Sequence, residues 1–249
     1  MRKIALFILN NILVNQFLIV FKKDHTIKKY KANWSRVTYD HKKSLQENVG
    51  FSHEPNIEHA IKIVHEKLQA VALEYNATTV LDIGCGTGLY LSDFKPDTIL
   101  YGTDLSAAFI EEAQRLVPQG HFIVGDFMKL NLSFKFDLIF SISVIEYIPP
   151  SQLLDFFKKA YANLNPGGIL FIQYPQALSY YQTLYPDLSY VQYAPKHLEK
   201  TASGIFKIIR HSHAYDDRPL LKKYDRMRYD SEKEKSFRNG AILIVQKAT

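Results

Sequence analysis

An aspartate followed by three glycines at alternate positions, Asp82, Gly84, Gly86 and Gly88 in VLDIGCGTG, is the stretch of this chain best suited to chemistry. Glycine loses more conformational freedom on ordering than any other residue, so glycines this dense mark backbone that takes unusual angles or lies against a ligand. The spacing excludes two phosphate cradles. A dinucleotide turn is G-x-G-x-x-G, and Leu89 stands where its third glycine belongs; a P-loop needs Gly-Lys-Ser/Thr, which does not follow. Asp82 ahead of the turn suits a cationic amino group and repels a pyrophosphate. Asp104 and Asp126 follow two further apolar stretches in the same manner.

The elements that position these residues are legible in the hydrophobic pattern. Apolar stretches at 79–83, 98–103, 121–124, 136–142 and 169–174 read as strands, the fourth, FDLIFSI, being continuous as in a strand covered on both faces. Residues 57–73 carry a helical apolar face. Ser106 opens a helix to about residue 116, Ser151 caps another to about 164, and NPGG at 165–168 stops it and turns the chain. A helix after Gly88 is expected to direct free N–H groups toward a ligand. Five β-α alternations predict an α/β fold with a doubly wound, mostly parallel sheet, in which ligands gather beyond the carboxyl ends of the strands. Segments 205–210 and 241–246 add an antiparallel closing pair, for seven strands in all. The domain spans 51–249, with insertions near 175–197, rich in tyrosine, and 213–239, rich in charge; both are expected to cover the substrate.

Residues 1–50 form a separate apolar and basic segment with helical character. Its apolar run at 4–21 is interrupted by Asn10, Asn11, Asn15 and Gln16 and lacks a small-residue cleavage site. Three readings stay open for it: a helix docked on the protein or on another copy, a membrane-surface attachment aided by the lysines at 22–43, and a true span or signal. The single cysteine, Cys85, excludes an internal disulfide framework, and the expected compartment is the cytoplasm, with membrane association open. Basic residues exceed acidic ones, 31 against 25, a mild bias that can favour nucleic acid, anionic lipid or phosphorylated substrates; charge runs more often solvate than bind, so a nucleic-acid partner is disfavoured but not excluded. No grouping of residues has metal-ligand spacing; His211 and His213 share a strand face but lack a third ligand.

Taken together, VLDIGCGTG, Asp104, GDF at 125–127, FDLIFSISVIEYIP and LNPGG resemble the class I S-adenosylmethionine-dependent methyltransferases. The resemblance is strong over 57–174 and weak over the closing strands. It implies a Rossmann-like methyltransferase fold and S-adenosylmethionine as cofactor. By the same resemblance Asp82, Gly84, Gly86 and Gly88 face the methionine part, Asp104 the ribose hydroxyls and Asp126 with Phe127 the adenine, while Ser141 lies beside the sulfonium.

Methyl transfer asks for alignment, exclusion of water and, for a hydroxyl acceptor, a base. Glu146 and Tyr147 are nearest to the end of the fourth strand; many relatives have Glu-His there, and this chain departs from that pattern at Tyr147. His197 is the alternative base, with His211 and His213 behind it. Tyr30, Trp34 and Tyr39 precede the core, where similar enzymes often fold an aromatic segment over the cofactor. No Asn/Asp-Pro-Pro-Tyr/Phe motif follows the fourth strand, and the only cysteine lies inside the glycine turn, so transfer to a base amine or to cytosine carbon is disfavoured. The expected acceptor is a small molecule, with a saccharide or glycan-precursor hydroxyl preferred. The alternatives are RNA or protein as acceptor, or a non-catalytic binding module.

Overall fold

The computed structural model describes residues 31–43, 48, 57–175, 191, 193–214 and 240–249. Helix α1 (Ile57–Glu74) precedes β1 (Thr79–Ile83), β2 (Ile99–Asp104), α2 (Ala107–Leu116), β3 (His121–Val124) and β4 (Phe136–Ile142). Two 3₁₀ turns, Ile145–Tyr147 and Pro150–Gln152, lead to α3 (Leu153–Asn163) and β5 (Leu164–Pro175). Helix α4 (Pro195–Ser203), β6 (Lys207–His213) and β7 (Gly240–Gln246) complete the described chain.

The seven strands lie in the order β3-β2-β1-β4-β5-β7-β6. β1 through β5 run parallel, and β7 is antiparallel to both neighbours. The strand order reverses between β1 and β4, which is where a doubly wound sheet opens a crevice. Both faces are covered. Leu81, Ile83, Ile139, Leu170 and Ile172 pack with Phe156, Phe157 and Leu198, while Val80, Leu138, Phe140 and Phe171 pack with Val64 and Leu68 of α1. Alternate residues of each strand thus enter opposite cores, which explains the unbroken apolar runs.

Three local expectations are corrected. No helix follows Gly88; instead the N–H groups of Gly88, Leu91 and Phe94 donate to the carbonyls of Cys85, Gly88 and Leu91 in successive turns. Gly84, Gly86 and Gly88 all have positive φ, which a helix forbids, and the few residues left before Pro96 are too short to repay nucleation. Ser151 is not a helix cap, because Pro150 begins a 3₁₀ turn and Gln152 takes the cap position of α3. NPGG does not turn the chain away from the sheet. It lies within β5, where Gly167 at φ 76 accompanies a pairing shift between Phe136 and Leu138.

At the edge of the sheet opposite the crevice, one carboxylate sets the relative height of three strands. Asp137 on β4 accepts hydrogen bonds from the backbone and hydroxyls of Thr78 and Thr79 and from the Asn165 amide, at 2.8–3.0 Å. Burial pushes its carboxyl up, but the bonds from Asn165, Thr78 and Thr79 outweigh it and hold the group below its ordinary value. A depressed value stabilises the fold above the unfolded carboxyl range, and that contribution is lost as pH falls through the folded value. Asp137→Ala is expected to lower unfolding free energy by about 1.5–3 kcal/mol at pH 7, the range for hydrogen bonds to a charged group. Urea titrations at pH 7 and pH 3 check this, with a smaller difference expected at the lower pH.

Candidate functional site

The crevice is built on the turn after β1. The N–H groups of Gly84 and Cys85 both donate to the Thr103 carbonyl, at 2.7 and 3.0 Å, and Gly86 N–H donates to Asp104 Oδ2 at 3.0 Å. These bonds tie the turn to the end of β2. The glycines have different reasons to lack a side chain. A Cβ on Gly84 would stand 2.4 Å from Val144 Cγ2, so this glycine admits the loop after β4; a Cβ on Gly86 would meet nothing within 4 Å and point into open space. Gly88 packs against Ala113 and Val117 of the α2 region.

Asp82 is 2% exposed, and its carboxyl is raised well above the ordinary range by burial and by the neighbouring Asp104. Asp104 is raised by burial too, although the N–H groups of Ser106, Gly86 and Leu105 pull it back. Two buried carboxyl groups within electrostatic reach favour a cationic ligand. Ser141 Oγ on β4 and Thr103 Oγ1 on β2 are buried without a hydrogen-bond partner among the described residues. Native proteins rarely leave such atoms unpaired unless a ligand or water completes them.

Asp126 accepts from Met128 N–H at 3.1 Å and pairs with Lys31 at 3.0 Å. Phe127 is buried edge-on to Phe156, so its ring is part of the core. Lys31 belongs to the N-terminal strap that carries the expected aromatic residues Trp34 and Tyr39, and nothing in the sequence motifs marked Lys31 itself. Along the strap, Trp34 packs against Phe109 and Tyr147, Val37 accepts from the Ser106 hydroxyl at 3.2 Å, Tyr39 packs on Phe109, and His41 lies 3.4 Å from Glu112. The strap therefore reaches from Asp126 to the turn carrying Tyr147.

The candidate bases separate. Tyr147 lies in the 3₁₀ turn beside Trp34, whereas His197, on α4, stacks on Tyr193 with ring centroids 6.1 Å apart. Burial, aided by Lys200, lowers His197, so its ring is neutral near pH 7. His211 is engaged elsewhere, between the Tyr174 hydroxyl at 2.8 Å and Glu199 at 3.0 Å. Tyr30, Tyr180, Tyr181, Tyr185 and Tyr190, together with the apolar N-terminal run and most of both insertions, lie outside the described residues. Among the described residues no cluster suits a metal ion, and no helix is long and apolar enough to cross a membrane.

Residues 80–168 match the methyltransferase domain family. The chain is 34% identical to trans-aconitate 2-methyltransferase of Deinococcus radiodurans over 112 residues, 43% of this chain and 42% of that protein. It is 40% identical to the 18S rRNA (guanine-N(7))-methyltransferase of Bos taurus over 113 residues, 39% of each. The chain thus spans about two fifths of the length of each of these relatives. Among solved structures, an S-adenosylmethionine-dependent methyltransferase from Clostridium acetobutylicum aligns with a TM-score of 0.61 at 18% identity, covering 78% of this chain and 96% of that one. Residues 80–168 thus carry a methyltransferase domain, and the sheet has the fold of the S-adenosylmethionine-dependent methyltransferases. The chemistry of the crevice fits S-adenosylmethionine: two buried carboxyl groups suit a cation, and backbone is bared where Gly86 has no side chain.

Two outcomes follow for binding. Gly86→Ala is expected to cost about 1–2 kcal/mol of stability for its positive φ and to weaken S-adenosylmethionine at least about tenfold. Gly84→Ala should lose more stability, because Val144 must move; melting curves and calorimetry separate the two, and a Gly86→Ala protein with wild-type affinity contradicts the assignment. For Asp82, the raised carboxyl is protonated at low pH and must lose its proton to meet a cation. Affinity is therefore expected to rise with pH until Asp82 is already ionised and then level off, with a flatter profile in Asp82→Asn by calorimetry.

Proposed function

We propose that the protein transfers a methyl group from S-adenosylmethionine to an oxygen of a small molecule. The observation that carries this reading is the buried pair Asp82 and Asp104 beside the open face of Gly86, a setting made for a cation lying on bare backbone. When bound, S-adenosylmethionine supplies an electrophilic methyl group on a cationic sulfur. In this reading Asp82 with Gly84, Gly86 and Gly88 holds the methionine part, Asp104 accepts from the ribose hydroxyls, Asp126 with Phe127 takes the adenine, and Ser141 lies toward the sulfonium. The strap at 31–43 excludes water from the nucleoside end through Lys31 and Trp34. Tyr147 and His197 stand on the acceptor side, where His197 as a neutral imidazole is able to take a proton.

A small-molecule acceptor is supported by the trans-aconitate methyltransferases among the relatives. The saccharide hydroxyl remains our preferred acceptor on the strength of the tyrosines at 180–193 and of Tyr193, and the cytoplasm the preferred compartment. A second reading, RNA as acceptor, is favoured by the rRNA methyltransferase relative and by the lysines at 22–43. The deciding experiment measures S-adenosylhomocysteine formation with trans-aconitate, glucose, glucose 1-phosphate and a guanine-containing RNA. Turnover of a small molecule that is insensitive to salt is expected. Turnover of RNA alone, falling steeply with added salt, contradicts the small-molecule reading, and cofactor binding without turnover of any of them leaves a binding module.

A further inference from the structure

Glu146 is the middle residue of the 3₁₀ turn Ile145–Tyr147, directly after the loop that ends β4. It is 5% exposed, and its Oε2 is buried with no hydrogen-bond partner among the described residues. Its neighbours along the chain, Ile145 and Ile148, and the facing Val191 are buried apolar residues. An apolar side chain would satisfy such surroundings, so a carboxyl with an orphaned oxygen points to a ligand that completes it.

The turn is fixed from several sides. Ser143 is held at φ 53 by its N–H and hydroxyl, which donate to the backbone and side-chain carbonyls of Gln173 at 3.1 Å. Val144 fills the space that Gly84 leaves open. Val191 N–H donates to the Glu146 carbonyl, and the Tyr193 hydroxyl to the Ile148 carbonyl, both at 2.7 Å. Glu146 thus stands between the glycine turn and the chain returning from the insertion after β5, where cofactor and acceptor have to meet. A positive φ at a non-glycine residue, held by two hydrogen bonds, is strain of the kind concentrated at functional sites.

We propose that Glu146 is the catalytic base that takes the proton from a hydroxyl acceptor during methyl transfer. The assignment rests on the methyltransferase reading above. The acceptor oxygen forms a bond to the methyl carbon, the carbon–sulfur bond breaks with its electron pair going to sulfur, and the hydroxyl proton passes to the Glu146 carboxylate. A cation and an anion become a neutral thioether and a neutral acid. Dry surroundings that disfavour separated charges favour this outcome.

The titration of Glu146 agrees with this role. Burial raises its carboxyl to about 8, offset in part by its own backbone N–H. That makes it a stronger base than an ordinary carboxylate, matched to a working pH near neutrality. Ionisable groups on the elements around the turn include Tyr174 on β5, Tyr193 and His197 at α4, Tyr147 in the turn itself and Lys31 and Tyr39 on the strap, and none of them contributes to the shift. A cation nearby favours the ionised form. S-adenosylmethionine, charged at sulfur, therefore ionises Glu146, whereas S-adenosylhomocysteine, neutral there, does not. Both carry the ammonium group that faces Asp82, so the contribution of Asp82 cancels between them.

The test is calorimetry of both ligands on the full chain at pH 7, in two buffers of different ionisation enthalpy. Wild type is expected to release more protons with S-adenosylmethionine, the excess approaching one. Glu146→Gln should bind both ligands and abolish the excess, with Glu146→Leu as the variant suited to the apolar surroundings if Gln fails to fold. With S-adenosylmethionine held far below saturation, so that the rate reports the cofactor-free enzyme, methylation of whichever of glucose and glucose 1-phosphate is turned over more rapidly should rise tenfold per pH unit below about 8. Glu146→Gln should lose that rise and about 10²- to 10⁴-fold in rate. Equal proton release by the two ligands in wild type, an unchanged pH profile in Glu146→Gln, or turnover of trans-aconitate alone overturns the assignment. Failure of the wild type to bind S-adenosylmethionine at all overturns the methyltransferase reading, and this one with it.

Discussion

The carbonyl of Thr103 accepts from two consecutive amides, those of Gly84 and Cys85, and the rest of the site depends on that junction. It spends the first amides of the glycine turn on the end of β2, so the turn cannot swing into the crevice. With the turn fixed, Gly86 N–H reaches Asp104, and Asp104 lies close enough to Asp82 to raise its carboxyl. The same turn leaves room at Gly84 for Val144, which carries the loop after β4 toward the cofactor side. Local backbone geometry here decides electrostatics.

Those electrostatics run against the stability of the fold. Asp82, Asp104 and Glu146 are carboxyl groups whose burial raises them, so as pH rises above the ordinary carboxylate range the folded protein keeps protons that the unfolded chain has already lost. Each costs stability as pH rises through its folded value. Asp137 at the opposite edge of the sheet has the reverse sign, being held ionised by five hydrogen bonds. The division is spatial: hydrogen bonds hold the carboxylate that organises the sheet ionised, whereas burial raises the carboxyl groups at the carboxyl ends of the strands.

The sheet was legible in the sequence because each central strand is buried on both faces and so writes an unbroken apolar run; the limits of β1 and β4 follow directly from it. The aspartates at strand ends were legible because position relative to a strand is a local property. What escaped the pattern was geometry set by distant partners. The turns after Gly88 take the place of a helix because of backbone angles that a periodicity does not record, and NPGG enters β5 because β4 offers it a partner. Lys31 pairs with a residue 95 positions away, and nothing in its own neighbourhood marks it. Glu146 was visible as a carboxylate near the end of a strand, but its burial and its orphaned oxygen belong to the fold.

A crystal structure of the chain with S-adenosylhomocysteine tests the account most directly. The predicted result places the ligand across the carboxyl ends of β1, β2 and β4, with its ammonium toward Asp82, its ribose hydroxyls on Asp104, its adenine beside Asp126 under the strap, and its sulfur on the side of Ser141 and Glu146. A ligand bound away from the glycine turn, or lying on it with the sulfur turned from Glu146 and the acceptor side closed, would contradict it.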